Sequence, residues 1–361
     1  MTVVGARPQF VKLAPLSRAL RRRVCEWLVH TGQHHDPEMS GAFFEQLALP
    51  SPDFHLGIRG GGHGRMTGRM LTALETLMQG TRPDLVLVLG DTNSTLAGAL
   101  AAVKLGIPVA HVEAGLRSFD MRMPEEINRR AVDHISDLLL CPTRTAVQNL
   151  KSEGITRGVY CVGDVMMDAV LQNERRARRL PGAVPSGDYA LLTLHRQENV
   201  DDPVRLGAVL EAVEQLPLPV LFPVHPRTRS RLRRLGRSAG GSVRPLTPLP
   251  YLEMLRLTAG ARVVLTDSGG LQKEAFILGT PCVTLRETTE WVETVAAGAN
   301  CLAGTDPVRI LKAARRALEA PRPLARADAY GGGRASDRIV RVLEGFLRAG
   351  GRAVRRSQPT R

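Results

Sequence analysis

Five consecutive apolar residues, Leu85-Val86-Leu87-Val88-Leu89, end at Gly90-Asp91 and lead into a helical pattern over Thr92 to Leu105, after which a second apolar run covers Ile107 to Val112. A strand that is apolar at every position has no face to give to water. Both faces must be covered, and strands covered on both faces by intervening helices make a parallel sheet. The same alternation opens the chain, with a strand over Met1 to Val4, a helix over Gln9 to Arg22 and a strand over Glu26 to His30. From Leu171 the chain turns charged and then rich in proline and glycine through Gly187, which predicts a linker or domain entry. The alternation then restarts: strand Tyr189 to Leu194, helix Val204 to Gln215, strand Pro219 to Val224, helix Tyr251 to Ala259. It continues with strand Arg262 to Leu265, helix Leu271 to Leu278 and strand Pro281 to Leu285.

A chain of 361 residues has the length of two domains. The expected class is therefore α/β, with two doubly wound Rossmann-like domains facing a central cleft that binds a ligand. The divisions expected are 1–168, 169–345, and a basic tail over 346–361 that lacks an apolar pattern. No stretch approaches the ~18–20 apolar residues of a membrane helix, and the first residues are not those of a signal peptide. The reading is a cytoplasmic protein without a membrane partner.

The formal net charge is +14, and all but five of the 49 basic residues are arginine. Such a field suits polyanions. The arginines are scattered, however, and aromatic residues make up only 4%, too few to build stacking platforms for nucleic acid. A solvated arginine-rich surface is the expectation, with no nucleic-acid partner. Five cysteines, at 25, 141, 161, 282 and 301, include no C-x-x-C pair and mostly flank apolar residues, so buried free thiols are expected. No H-E-x-x-H, phosphate-loop or dinucleotide fingerprint is present either, so no metal or cofactor is expected.

In open α/β sheets ligands sit beyond the carboxyl ends of the strands. Two acids stand there in succession, Asp91 and Glu113, although Asp91 before Thr-Asn-Ser could simply cap a helix. In Pro124-Glu125-Glu126-Ile127-Asn128-Arg129, proline and acids mark a helix start, and Glu125 is spaced to pair with Arg129 one turn on. In the second half, Thr266-Asp267-Ser268-Gly269-Gly270 closes an apolar strand and opens a helix. That arrangement suits a phosphate group bound by free amides, against the plainer reading of a serine cap. Glu274, one turn on, is placed to meet a sugar hydroxyl, and His195 and His225 each end a strand.

Taken in order, Gly5-Ala6-Arg7-Pro8-Gln9-Phe10-Val11-Lys12, Gly90-Asp91-Thr92, His111-Val112-Glu113-Ala114-Gly115-Leu116-Arg117, Pro124 to Arg129, His195-Arg196 and Asp267 to Gly270 resemble the non-hydrolysing UDP-N-acetylglucosamine 2-epimerases, from about residue 3 to about residue 345. The resemblance implies a GT-B-like fold, a homodimer, and a reaction without cofactor. UDP is eliminated to a bound 2-acetamidoglucal, carbon 2 is protonated on the other face, and UDP adds back. Carried onto this sequence, Asp91, Glu113 and Glu125 become acid/base residues. His195, Arg7, Ser268, Gly269 and Gly270 would hold the diphosphate, with Arg196 and His225 beside them. Lys12 and Arg129 would support the carboxylates and substrate, and Glu274 the uridine ribose. The sequence departs from a common family form by carrying Trp291 in place of an arginine and Arg65 in place of an acid. Other activities within reach of the resemblance are 2-epimerisation of UDP-2,3-diacetamido-2,3-dideoxyglucuronate, to which Arg59 and Arg65 are suited, and hydrolysis to free N-acetylmannosamine.

Overall fold

Strand formation follows the apolar runs, with a residue or two at an end often left outside the paired segment. In the computed structural model, which describes residues 1–34, 44–181, 187–234, 241–321 and 327–350, the run at 85–89 becomes a strand over Val86–Leu89 whose every residue is buried. Expected elements recur with ends moved by at most two residues: the first helix spans Arg7–Leu20 and the helix after Asp91 spans Asn93–Lys104.

The chain divides into two units, Met1–Ala169 with Asp328 onward, and Val170–Ala327. The first holds strands β1 (Thr2–Val4), β2 (Leu28–His30), β3 (Phe54–His55), β4 (Val86–Leu89), β5 (Val109–Val112), β6 (Leu138–Cys141) and β7 (Val159–Cys161). They form one sheet in the order β3-β2-β1-β4-β5-β6-β7, and every recorded pairing in it is parallel. The order reverses between β1 and β4, with Val3 opposite both Val29 and Val88. The second unit holds β8 (Ala190–Thr193), β9 (Val220–Pro223), β10 (Val243–Leu246), β11 (Val263–Thr266), β12 (Cys282–Thr284) and β13 (Asn300–Leu302), in the order β10-β9-β8-β11-β12-β13, again parallel. Its reversal lies between β8 and β11, where Thr193 and Thr266 stand opposite and share a 2.6 Å hydroxyl hydrogen bond. Each unit has its own apolar core, one around Val3, Val88 and Met70, the other around Leu192, Phe222 and Leu265.

Three expectations differ. The charged stretch after Leu171 is helical as far as Arg178, within a helix Val165–Arg178 that carries the chain across the boundary between units. Helix-favouring residues and a Glu174–Arg178 pair at 2.8 Å sustain it until Pro181, while residues 182–186 lie outside the described residues. The contact division also departs from 169–345 at its C-terminal side. The helix Ala335–Arg348 lies in the first unit and packs on Arg7–Leu20, burying Ile339, Val340 and Leu343. Asp168 holds its start by accepting from the Ala335 and Ser336 amides at 3.0 and 2.7 Å. Of the expected tail, 351–361 lie outside the described residues. Third, the cysteines are free but only Cys141 and Cys282 are buried. Cys161 and Cys301 stand on the edge strands β7 and β13, which leaves them exposed, as is Cys25. Among the described residues no helix is long and apolar enough to cross a membrane.

Candidate active site

The turn after β1 is stitched to the end of β4 by one buried side chain. The Gln9 amide oxygen accepts from the Gly5 and Ala6 amides at 2.8 and 2.9 Å, and its nitrogen donates to the Leu89 carbonyl at 2.8 Å. This fixes the point where strand order reverses, and Arg7 and Lys12 project from the helix that starts there. Across it, Gly90 takes a left-handed φ of +66° that frees the chain to turn sharply, and Asp91 follows. The capping alternative for Asp91 does not hold. Thr92 caps the next helix, accepting from the Thr95 amide at 3.3 Å, and the Asp91 carboxylate instead pairs with the Arg129 guanidinium.

One strand over, Glu113 is 4% exposed and sits at φ +69°, a conformation that costs a residue with a side chain roughly 1 kcal/mol or more. Its carboxylate pairs with the Lys12 ammonium, against Gly90: a β-carbon built on Gly90 would lie 3.4 Å from Glu113 Oε2 and 3.6 Å from Lys12 Nζ. Two carboxylates thus end neighbouring strands with a cation each, which offsets their mutual repulsion.

Glu125 stands half-buried in the first turn of the helix Pro124–Ile135. The spacing pointed to it as the partner of Arg129. The structure gives Arg129 the wholly buried Glu126 at 2.9 Å as well as Asp91. Glu126 also accepts from the Ser118 amide and hydroxyl, both at 2.9 Å, and from Arg130 at 3.0 Å. Burial opposes its charge, but these donors hold its carboxyl below the usual glutamate range. Two acids followed three and four residues later by two arginines was the available signal, and it did not single Glu126 out.

In the second unit the reversal between β8 and β11 brings His195 and Arg196 beside Asp267 and Ser268. Asp267 is fully buried and accepts from the His195 and Arg196 amides at 3.1 and 3.0 Å, from Asn199 at 3.3 Å and from His195 Nδ1 at 3.0 Å. Burial works against this carboxylate, yet His195 and the two amides keep it below its ordinary range. With Nδ1 committed to Asp267, the imidazole presents Nε2 outward. The sequence carries Asp267 within the Thr266 to Gly270 motif, but a buried acid behind a histidine is visible only in three dimensions. The His225 ring lies 6.4 Å from that of His195.

Ser268 is the cap of the helix Gly269–Ile277, accepting from the Leu271 amide at 3.4 Å, so the plain reading of this serine holds alongside the ligand reading. Gly269 keeps room for its neighbours: a β-carbon there would lie 2.4 Å from Glu290 Oε1 and 3.1 Å from Trp291 Nε1, so Glu290 would have to shift. Gly270 is less crowded, the nearest atom to a β-carbon built there being Ser268 Oγ at 3.9 Å, and it stands in the first turn of this helix. Glu274 is buried on the same helix, and burial pushes its carboxyl up to about 7 even with Lys273 adjacent. Trp291 is buried too, with the Lys273 ammonium 3.8 Å above its ring. Among the described residues no cluster of histidine, cysteine and acidic side chains is arranged to hold a metal.

The family model described as UDP-N-acetylglucosamine 2-epimerase matches residues 18–344. The chain is 51% identical over 351 residues, 95% of its length and 98% of the relative's, to the UDP-2,3-diacetamido-2,3-dideoxy-D-glucuronate 2-epimerase of Pseudomonas aeruginosa. Its structure is similar to the crystal structure of Methanocaldococcus jannaschii UDP-GlcNAc 2-epimerase in complex with UDP-GlcNAc and UDP, with a TM-score of 0.90 and 43% identity over 95% of this chain and 99% of that one. A more distant likeness, TM-score 0.54 at 16% identity over 98% of this chain and 99% of the other, is to the glycosyltransferase VinC and concerns the GT-B-like fold alone. With two parallel doubly wound units, acids and glycine-containing turns at their strand ends, and matches along nearly its whole length, the chain belongs to the UDP-N-acetylglucosamine 2-epimerase family.

Proposed function

We propose that this enzyme interconverts UDP-N-acetylglucosamine and UDP-N-acetylmannosamine without hydrolysis, by eliminating UDP and adding it back. The observation that carries the reading is the pair of cation-held carboxylates, Asp91 with Arg129 and Glu113 with Lys12, at adjacent strand ends. Carbon 2 of the substrate bears an acetamido group and has no neighbouring ketone, so its proton is not acidic enough to leave alone. Departure of UDP from carbon 1 in concert with proton removal at carbon 2 avoids that barrier. It requires one carboxylate to take the proton and a second acid to return it on the opposite face. Asp91, Glu113 and Glu125 are the groups for these transfers.

The leaving diphosphate needs fixed donors where its charge develops. His195, aligned by Asp267, the Gly269 and Gly270 amides, Arg7 and Arg196 serve that role, with His225 nearby and Glu274 on the ribose. The N-terminal unit then supplies proton transfer and the second unit holds UDP. We extend the reading to a homodimer acting in the cytoplasm and needing no nucleic acid, metal or redox cofactor, supported by the resemblance and by a reaction in which no net oxidation occurs.

A second substrate, UDP-2,3-diacetamido-2,3-dideoxy-D-glucuronate, is favoured by one observation: the Pseudomonas aeruginosa relative named for it is 51% identical. Its added carboxylate would meet the exposed Arg59 and Arg65. Proton NMR in deuterated buffer tests both. Deuterium entering carbon 2 together with UDP-N-acetylmannosamine, and no free sugar, is the expected result. Free N-acetylmannosamine would move the enzyme to the hydrolysing class, and turnover of the diacetamido uronate alone would select the second substrate.

A further inference from the structure

Behind the two strand-end acids lies a buried network that the reaction as described does not use. His111 is the third residue of β5 and is wholly buried. Its Nδ1 lies 2.7 Å from Asp133 Oδ1 and its Nε2 lies 2.7 Å from the Gly90 carbonyl oxygen. A carbonyl oxygen only accepts, and an ionised carboxylate only accepts. Both ring nitrogens must therefore donate, which requires two ring protons and makes the side chain an imidazolium.

The same network reaches the far side of Glu113. Asp133, also wholly buried, accepts through Oδ2 from the Gly115 amide at 3.0 Å and from Arg117 Nη1 at 2.7 Å. Arg117 turns its other edge to Glu153, with bonds of 2.8 and 2.7 Å. The buried cations His111 and Arg117 face Asp133 and Glu153, with Arg130 also reaching Glu153 at 3.7 Å, and most of their polar atoms are bonded, the condition under which charges can be buried at tolerable cost. In keeping with this, Asp133 is held below the usual aspartate range although burial opposes its charge. One end of the network holds the peptide that leads into Asp91, and the other holds the turn that leaves Glu113.

We propose that His111, bridged as an imidazolium between Asp133 and the Gly90 carbonyl, is a positioning residue that sets the separation of Asp91 and Glu113. The proposal rests on those two being the proton-transfer pair of the proposed function. Each lies at a tight turn with positive φ, at Gly90 and at Glu113 itself, and such turns drift unless something holds them. A glutamine in place of the ring has its donors on one nitrogen and no charge, so it does not span the two acceptors as the opposite ring nitrogens do. The turns would relax, and misplacement of reacting groups by about 1 Å costs on the order of a hundredfold in rate. Because the network touches nothing assigned to UDP, the loss falls on turnover and not on nucleotide affinity.

The experiment has a spectroscopic arm and a kinetic arm. In the wild-type enzyme labelled with nitrogen-15 histidine, one of the nine rings is expected to carry protons on both nitrogens, shielded from exchange, under the conditions of the activity assay. That signal should vanish in His111→Gln. A spectrum with no exchange-shielded imidazolium under those conditions overturns the bridge. In His111→Gln and Asp133→Asn, kcat should fall roughly a hundredfold while the UDP dissociation constant stays within about twofold. A kcat within about threefold of wild type, or a matching loss of UDP affinity, overturns the positioning role. If His111→Gln does not fold, Asp133→Asn carries the kinetic arm, since it keeps the shape of the network and removes its charge. Normal turnover by Asp91→Asn and Glu113→Gln would instead remove the proton-transfer reading, and leaves the wild-type spectrum to judge the bridge independently.

Discussion

Both units reverse their strand order in the middle of a parallel sheet, and they dress the reversal in opposite ways. In the first, side-chain acids stand at the strand ends, each carboxylate bonded to a cation, Glu113 to Lys12 and Asp91 to Arg129. In the second, the acid at the equivalent place, Asp267, faces inward and is consumed in holding His195 and two backbone amides. Under the proposed function, one end exchanges protons and the other holds an anion. Topology supplies the crevice, and the residues just beyond each strand decide its chemistry.

That contrast can be broken in order of expected effect. Asp91→Asn or Glu113→Gln removes a proton carrier and should cost about 4 kcal/mol of barrier, roughly a thousandfold in turnover, with UDP binding little changed. Near-normal rates by the NMR assay, or loss of UDP affinity instead, would erase the division of roles. Glu274→Gln tests the second unit through stability. With its folded carboxyl near 7, Glu274 keeps its proton while the unfolded chain sheds one above the ordinary glutamate value of 4.5. Stability is therefore lost as pH rises between those two values, because the native state binds more protons. The variant escapes this, so its stability relative to wild type, without nucleotide, should improve by about 3 kcal/mol between pH 4 and pH 8 in denaturant melts.

Asp267→Asn leaves the His195 ring in place but loosens its orientation and its charge partner. A drop of about 2 kcal/mol, roughly thirtyfold in turnover, is expected, together with weaker UDP binding in calorimetry. The matching substitution in the first unit, Asp91→Asn, should leave UDP binding intact, which makes the pair diagnostic. The smallest effect belongs to Gly269→Ala. Its methyl would meet Glu290, which is held by Arg286 at 3.0 Å, and the shift should weaken UDP binding about tenfold without touching proton exchange at carbon 2 in the bound sugar.

Strong apolar runs made β1, β4, β5, β8 and β11 readable, and these are the strands that carry the candidate residues. The edge strands were harder. Phe54–His55 is two residues long, and Val159–Cys161 exposes Tyr160 and Cys161, so neither has the apolar signature of a covered strand. The exposure of Cys161 and Cys301 follows from the same edge positions, which local sequence does not reveal. The C-terminal helix had a clear apolar stripe, but nothing local told which unit would take it. Asp168 capping it from 167 residues away decided that.

For the site, strand ends followed by Gly90-Asp91, Glu113, His195 and Ser268-Gly269-Gly270 were legible because helix starts and turns leave local marks. The supporting groups were not. Gln9 bonds to Leu89, Asp267 to His195 and His111 to Asp133 across 80, 72 and 22 residues, and a single sequence carries no sign of such pairings. By itself the sequence determined the α/β class, the parallel sheets and the candidate groups at the strand ends, since hydrophobic period and turn chemistry act over a few residues. Only the tertiary structure decided which charge answers which. Buried ions are tolerated when partners meet in space, and that meeting depends on the register of strands and helices brought together from distant parts of the chain.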